Sequence, residues 1–466
     1  MRVLRLDCGA MKNHALFASA LIAFVAFTSL AACGPASKSD ASAAARPAVD
    51  VPLPQSGFVV VKGKHFELDG KPYRFAGANL WYGMYLGSPG ATGDRARLAK
   101  ELDQLASQGV TNLRVLAVSE ASTLKRSVRP VVLQGPKDID ETLWQGLDYL
   151  LDQMARRDMK AVLYLNNFWQ WSGGMAAYLS WTTGKPAMDP DVTGDWNGFM
   201  ENSASFYRDA KAQEIYHDAI RRLVERKNSV NGRVYSADPT IMAWQLANEP
   251  RPGADGNSKY FPDFSHWIDD TAGYLKSLGI RQLVSTGNEG WMGTAGSRDL
   301  YERAHQSPNV DYLTFHMWAP NWSWFDPKKP DATFDGAWAR MQDYLNWHID
   351  AANRLGKPIV LEEFGINRDQ GAFEPAAKTT YRDRFYTAIY QLLARRAAAG
   401  DAIAGSNFWA WGGAGRTHNA DFMWKEGDSF VGDPPQEAQG LYCVFDSDAS
   451  TIAIIAAHAR LISGLH

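Results

Sequence analysis

The chain has 466 residues, 45% hydrophobic and 21% charged, which is enough for one large domain or two ordinary ones with a substantial core. Its formal net charge of −3 carries no basic excess, so nucleic acid is not an implied partner. Tryptophan is over-represented, with 17 residues beside 18 Tyr and 21 Phe. Flat apolar side chains of this kind serve a core, and they also suit a ligand with apolar faces and polar edges.

Residues 1–32 read as a targeting segment. Met11-Lys12-Asn13-His14 precedes an apolar stretch over 15–30, and Met11 opens a more typical start than Met1. The stretch is short for a membrane span. Leu30-Ala31-Ala32-Cys33 places small residues before a cysteine, as a bacterial lipoprotein signal does. Cys33 is therefore the expected lipidation site, with an ordinary cleaved signal as the alternative. Residues 33–56, rich in Ala, Ser and Pro, read as a flexible tether. The expected location is the outer membrane or cell surface, with the periplasm as alternative. Cys8 leaves with the signal and Cys443 stands alone, so neither an internal disulfide nor a cysteine metal cluster is expected.

The folded domain is expected over 57–466. Phe66-Glu67-Leu68 and Tyr73-Arg74-Phe75 flank Asp69-Gly70, a hairpin signal. Eight apolar, strand-like runs follow, at 73–79, 111–117, 160–166, 240–247, 281–286, 311–316, 358–363 and 403–409. Helical patterns separate them. Leu98, Leu102, Leu105 and Ala106 share one face before Gly109, and Leu143, Leu147, Leu150, Leu151 and Met154 share another. This alternation predicts an α/β fold, a (β/α)8 TIM barrel behind a short N-terminal β-hairpin. An open doubly wound sheet is the alternative, but Gly77-Ala78-Asn79-Leu80-Trp81 lacks the glycine spacing of a phosphate fingerprint. No cofactor is implied. Asp189, Asp191 and Asp195 lack the ordered ligand pattern of a calcium loop, so no metal site is expected and a solvated surface is.

In a barrel, catalytic side chains sit where strands end. The fourth run delivers Asn248 and Glu249 before Pro250 stops it, and the seventh ends in Glu362-Glu363. A carboxylate at the end of a buried strand is costly unless it is paired or used. Two such carboxylates on one rim can serve as acid and nucleophile across a scissile glycosidic bond.

Asn248-Glu249-Pro250 after run four and Glu363-Phe364-Gly365 after run seven resemble glycoside hydrolase family 5, more narrowly its endo-β-1,4-mannanase branch. Also similar to that branch are the stretch 238–251, Asn166-Asn167-Phe168-Trp169 with Gly173-Gly174, Ser285-Thr286-Gly287-Asn288-Glu289-Gly290, and Asp433-Pro434-Pro435-Gln436-Glu437. The resemblance spans about residues 57–450. It implies a retaining barrel enzyme, with Glu249 as acid/base and Glu363 as nucleophile. Glu363, rather than Glu362, directly precedes the aromatic-Gly pair, and neighbouring strand residues point to opposite faces. The resemblance further implies that Arg114 supports the nucleophile and that Asn248 binds the sugar's 2-hydroxyl. His316 would stand near the acid/base, Trp409 would floor the reactive subsite, and Arg251 would serve the leaving-group side. Trp169 is a further expected substrate contact. Trp318 stands where many relatives have a tyrosine bonded to the nucleophile, and an indole N–H can only donate.

The substrate implied by the resemblance is a β-1,4-mannan, glucomannan or galactomannan. The alternatives are an exo-acting β-mannosidase, with the 167–235 insertion blocking one end of the cleft, and a β-1,4-glucanase. A surface glycan-binding lipoprotein without catalysis is the non-enzyme alternative. Acid/base chemistry requires Glu249 protonated when the leaving oxygen departs, so its pKa is expected to be raised by burial and a neighbouring negative charge.

Overall fold

The computed structural model describes residues 57–465. The signal segment, Cys8, Cys33 and the whole 33–56 tether lie outside the described residues. The described chain opens with an antiparallel sheet of β1 (Val60–Lys62), β2 (His65–Leu68) and β3 (Lys71–Tyr73), one strand more than the expected hairpin. Asp69 and Gly70 turn β2 into β3 with φ of 51° and 77°, the paired positive φ of a tight hairpin turn. Phe66 of β2 meets Tyr312 edge-on, ring centroids 5.3 Å apart, and joins Phe75, Val162, Met242 and Val360 near the strand starts. The small sheet thereby plugs the N-terminal mouth of the structure that follows.

That structure is a (β/α)8 barrel. Its strands are β4 (Phe75–Asn79), β5 (Val110–Leu116), β6 (Lys160–Tyr164), β7 (Ile241–Gln245), β8 (Leu283–Ser285), β9 (Leu313–Met317), β10 (Ile359–Phe364) and β11 (Ile403–Phe408). All pairings between them are parallel, in the order β8-β7-β6-β5-β4-β11-β10-β9. A Ser285–Tyr312 bridge and the Asp311 N–H to Val284 C=O bond of 2.8 Å bring β9 back to β8. The strands are buried on both faces, which is why they read as continuous apolar runs.

The helix Arg95–Ser107 buries Leu98, Leu102 and Leu105, and Asp94 caps it by accepting from Arg97 N–H at 2.9 Å. It stops before Gly109, whose φ is 79°. The helix Glu141–Ala155 buries all five of its patterned apolar residues and is capped by Asp140. The 167–235 insertion folds into several helices, chiefly Gly174–Thr183, Trp196–Ala204 and Ala210–Val224. Its acidic residues are local fasteners: Asp189 accepts from Lys125 N–H and Asp191 N–H, and Asp195 accepts from Gly198 N–H. After β11 the chain adds a parallel pair, β12 (Trp411–Gly413) and β13 (Val444–Phe445), and a closing helix, Ala449–Ser463. Cys443 is a buried free thiol that donates to Asp433 Oδ2 at 2.8 Å.

Candidate active site

The C-terminal rim of the barrel gathers four charged groups from four strand ends. Past β7 the chain continues as Leu246-Ala247-Asn248-Glu249. Asn248 N–H donates to Asn166 C=O at 2.8 Å, and Glu249 N–H donates to Gly287 C=O at 2.9 Å. Glu249 takes φ of 48°, a strained conformation for a residue with a Cβ, and strain of this kind clusters at functional sites. Gly287, with φ of 74°, permits the close approach, because a Cβ there would meet Ala247 O at 1.8 Å. This is the physical content of the 285–290 motif.

The Asn166–Trp169 motif works similarly. Asn167 Oδ1 accepts from Asn248 Nδ2 at 3.1 Å and from Trp169 N–H at 3.0 Å. Trp169 is thus aimed so that its indole N–H donates to Glu249 Oε2 at 2.6 Å.

On β10 the structure departs from the expected alternation. The register against β9 slips between Leu361 and Glu363, so that Leu361 faces Phe315 and Glu363 faces His316. A bulge of this kind re-aims side chains. Glu362 and Glu363 therefore do not point to opposite faces; both reach Arg114, Glu363 through Nη1 and Glu362 at 3.7 Å from Nε. Arg114, fully buried on β5, also donates to Gln245 Oε1 at 2.8 Å, Asn248 Oδ1 at 2.7 Å and Asn79 Oδ1 at 3.2 Å. Burial opposes its charge, and Glu363 and Glu362 more than offset this, raising its pKa.

His316 stands between the two carboxylates proposed from sequence. Its Nδ1 lies 2.6 Å from Glu249 Oε1 and 3.3 Å from Glu363 Oε2. One oxygen of Glu249, one of Glu363 and this nitrogen all lie within 4.8 Å of one another. Such a triad could hold a cation geometrically, but with Arg114 on one carboxylate and a proton available on His316 its charges are largely compensated from within. Burial pushes the Glu249 carboxyl up, but bonds and charge from His316, the charge of Arg251 and the bond from Trp169 outweigh it and hold the group down at about 2. Burial pushes His316 down, and Glu363, Glu249 and Glu362 carry it well above its ordinary value. The expected upward shift of Glu249 is thus reversed, because the proton of the pair rests on His316.

Trp318 donates its indole N–H to Glu249 Oε1 at 3.2 Å, so it bonds the other carboxylate from the one served by the tyrosine of many relatives. Trp409 is 4% exposed and meets Trp318 edge-on at 5.9 Å, and its Nε1 has no partner among the described residues. Arg251 pairs with Glu289 and, at 2.8 Å, with Asp255, and lies over the Trp169 ring at 5.0 Å.

Three groups at the site escape a reading from sequence. Gln245 sits inside β7 among apolar residues and bridges Arg114 to Glu362. Glu289, in the 285–290 motif, anchors Arg251. Glu437 belongs to a motif that carries no role on its own. Its Oε2 is buried without a partner among the described residues. Burial, together with the charges of Asp433, Glu363 and Glu249, drives its pKa well up. Asp433 holds that loop, accepting from Gly440 N–H at 2.7 Å and Tyr442 N–H at 2.9 Å, and Tyr442 packs on Trp318 at 5.1 Å.

A (β/α)8 barrel with two close-set carboxylates from different strands at its C-terminal rim defines a glycoside hydrolase. The chain belongs to glycoside hydrolase family 5: residues 56–465 match the family described as GH family 5 beta-mannosidase-like. Among solved structures it is similar to the glycoside hydrolase family 5 mannosidase from Rhizomucor miehei. The two share 36% identity and a TM-score of 0.80, over 87% of this chain and 97% of that one. That enzyme has also been crystallised, as a mutant, with mannosyl-fructose. Among curated proteins it is similar to mannan endo-1,4-beta-mannosidase 7 of Arabidopsis thaliana, 29% identical over 371 residues, 77% of this chain and 78% of that one. The endo-beta-1,4-mannanase from Thermotoga petrophila, at 23% identity and a TM-score of 0.60 over 85% of this chain and 78% of that one, shares the fold.

Proposed function

We propose that this protein is an endo-acting β-mannanase that cleaves β-1,4-mannosidic bonds in mannan, glucomannan or galactomannan with retention. One observation carries the reading: His316 Nδ1 touches both Glu249 and Glu363, whose oxygens lie within 4.8 Å, while Arg114 pairs with Glu363 and not with Glu249. Retaining enzymes hold their carboxyls about 5–5.5 Å apart and inverting enzymes about 6.5–9.5 Å.

The asymmetry assigns the roles. Glu363, neutralised by Arg114, stays ionised and attacks the anomeric carbon. The bond from that carbon to the leaving oxygen breaks, and the oxygen takes a proton from Glu249. That proton comes from His316 across the 2.6 Å bond. Glu249, now a base, takes a proton from water, which attacks the anomeric carbon and releases Glu363. Asn248 is held with its amide oriented by Arg114 and Asn167, which supports contact with the sugar's 2-hydroxyl. Trp409 offers an indole as the floor of this subsite, and Arg251 stacked on Trp169 faces the leaving group's side.

Product analysis on mannohexaose and on polymeric mannan tests the reading. Mixed oligosaccharides with an early fall in mannan viscosity support it. Mannose as the sole early product supports a second reading, an exo-acting β-mannosidase, which the 36% identity to the Rhizomucor miehei mannosidase favours. We further propose that Cys33 carries lipid and holds the domain at a membrane surface, from the Leu30-Ala31-Ala32-Cys33 sequence. Labelling with a fatty-acid probe in cells, lost in Cys33→Ser, supports the anchor; an unlabelled, freely released protein contradicts it.

A further inference from the structure

A carboxylate beside the catalytic pair has no place in double displacement, yet the fold buries it there. Glu362 is 1% exposed. A regular strand would turn it towards the surrounding helices, and the β10 bulge instead aims it into the barrel beneath Arg114 and His316. Its Oε2 accepts from Gln245 Nε2 at 2.7 Å, lies 3.7 Å from Arg114 Nε and lies 3.9 Å from His316 Nε2. Its Oε1 is 3.4 Å from the Tyr312 hydroxyl. Gln245 uses its other amide atom to accept from Arg114 Nε at 2.8 Å. His316 Nε2 has no hydrogen-bond partner among the described residues, and Glu362 is the acceptor facing it across ion-pair distance.

We propose that Glu362 is a positioning residue of the glycosidase reaction, holding His316 in its doubly protonated form and fixing the orientation of Arg114. Through these two it governs the proton supply of Glu249 and the ionised state of Glu363, so the proposal rests on the roles given above to that pair. The charges facing His316 are Glu249 beyond β7, Glu362 and Glu363 on β10, Glu289 beyond β8 in its pair with Arg251, and Arg114 on β5. Tyr312 approaches Glu362 from the residue preceding β9. Only an imidazolium offers a donor to both sides. A neutral ring would turn a lone pair either to Glu362 or to the catalytic carboxylates. Gln245 couples the two effects, since one amide fixes the spacing of Arg114 and Glu362.

The first test is the pH dependence of kcat/KM for Glu362→Gln, a near-isosteric change that removes one negative charge. The proton of the Glu249–His316 pair should then leave at lower pH, moving the alkaline limb down by about one pH unit or more. kcat should fall with little change in KM, and Glu362→Asp should recover part of the alkaline limb. A reduced kcat with the wild-type pH profile overturns the proposal. The second test reads the protonation of the wild-type chain directly and needs no substrate. Nitrogen-15 histidine spectra of the full chain, with the His316 signals among the ten histidines identified by their loss in His316→Asn, should show both ring nitrogens protonated at pH 7. A neutral His316 overturns the proposal. Absence of any activity on mannans would overturn the functional reading instead and leave the spectra to decide this one.

Discussion

Nδ1 of His316 lies 2.6 Å from Oε1 of Glu249, and each group changes the other. Glu363 and the bond to Glu249 carry the imidazole well above its ordinary pKa against burial, and the imidazolium holds the Glu249 carboxylate down. The pair therefore keeps a proton at pH values where a free glutamate would have lost it.

The first consequence concerns leaving groups. Glu249→Ala should lower kcat on mannan by about 10²- to 10⁴-fold, the usual range for loss of a general acid/base. Glycosyl transfer to Glu363 from an aryl β-mannoside with an acidic phenol needs no such proton. Burst kinetics on that substrate should show fast release of the first phenol and slow turnover. Equal loss of both phases would place Glu249 outside acid/base catalysis.

Trp318→Phe removes the N–H that donates to Glu249 at 3.2 Å and keeps most of the ring packing. Losing a donor to the ionised form raises the carboxyl's pKa. A bond worth about 1.4 kcal/mol corresponds to about tenfold in kcat/KM. Steady-state kinetics on mannohexaose should record a fall of that order, with the melting temperature close to wild type. Unchanged kinetics would mean that the bond does not act on the reaction.

Trp409 is nearly buried, so truncation to alanine would mix cavity formation with loss of a sugar platform. Trp409→Phe separates them, because it keeps apolar volume while shrinking the face and removing Nε1. We expect turnover to fall about tenfold or more, with little change in melting temperature. A variant that melts early yet turns over normally in the cold would assign Trp409 to the core.

Glu120 gives a prediction about stability rather than rate. It is fully buried, accepts from Gly174 N–H at 2.8 Å through Oε2, and burial drives its pKa up to about 8. The folded value lies above the unfolded one, so its favourable contribution is complete below the ordinary carboxylate pKa and declines as pH rises to about 8. Glu120→Gln cannot ionise. Its melting temperature relative to wild type should be similar at pH 5, climb by several degrees towards pH 8 and then level off. A difference independent of pH would show that Glu120 does not titrate in this range.

Much of this architecture is legible in the sequence, because a strand buried on both faces must be apolar throughout. All eight runs correspond to barrel strands, and Asp69-Gly70 makes the turn its residue types demand. What is not legible depends on one-residue shifts and on contacts between distant segments. Strand alternation places Glu362 and Glu363 on opposite faces; a bulge against β9, which leaves no mark in local composition, brings both to Arg114. The resemblance implies a nucleophile-bonding role at position 318, but the indole of Trp318 reaches Glu249. The raised pKa expected for Glu249 follows from burial alone. It reverses because the bond and charge of His316, 67 residues away, together with Arg251 and Trp169, outweigh burial. Gln245 and Glu437 carry no local signal; one sits in an apolar strand and the other in a loop whose course Asp433 sets.

The central claim is retaining catalysis with Glu363 as the nucleophile, and covalent labelling tests it most directly. A 2-deoxy-2-fluoro-β-mannosyl fluoride should glycosylate the enzyme with one sugar per chain as fluoride leaves, and peptide mass spectrometry should place that sugar on Glu363. Attachment to Glu362, or to no residue while the enzyme remains active on mannan, would contradict the account.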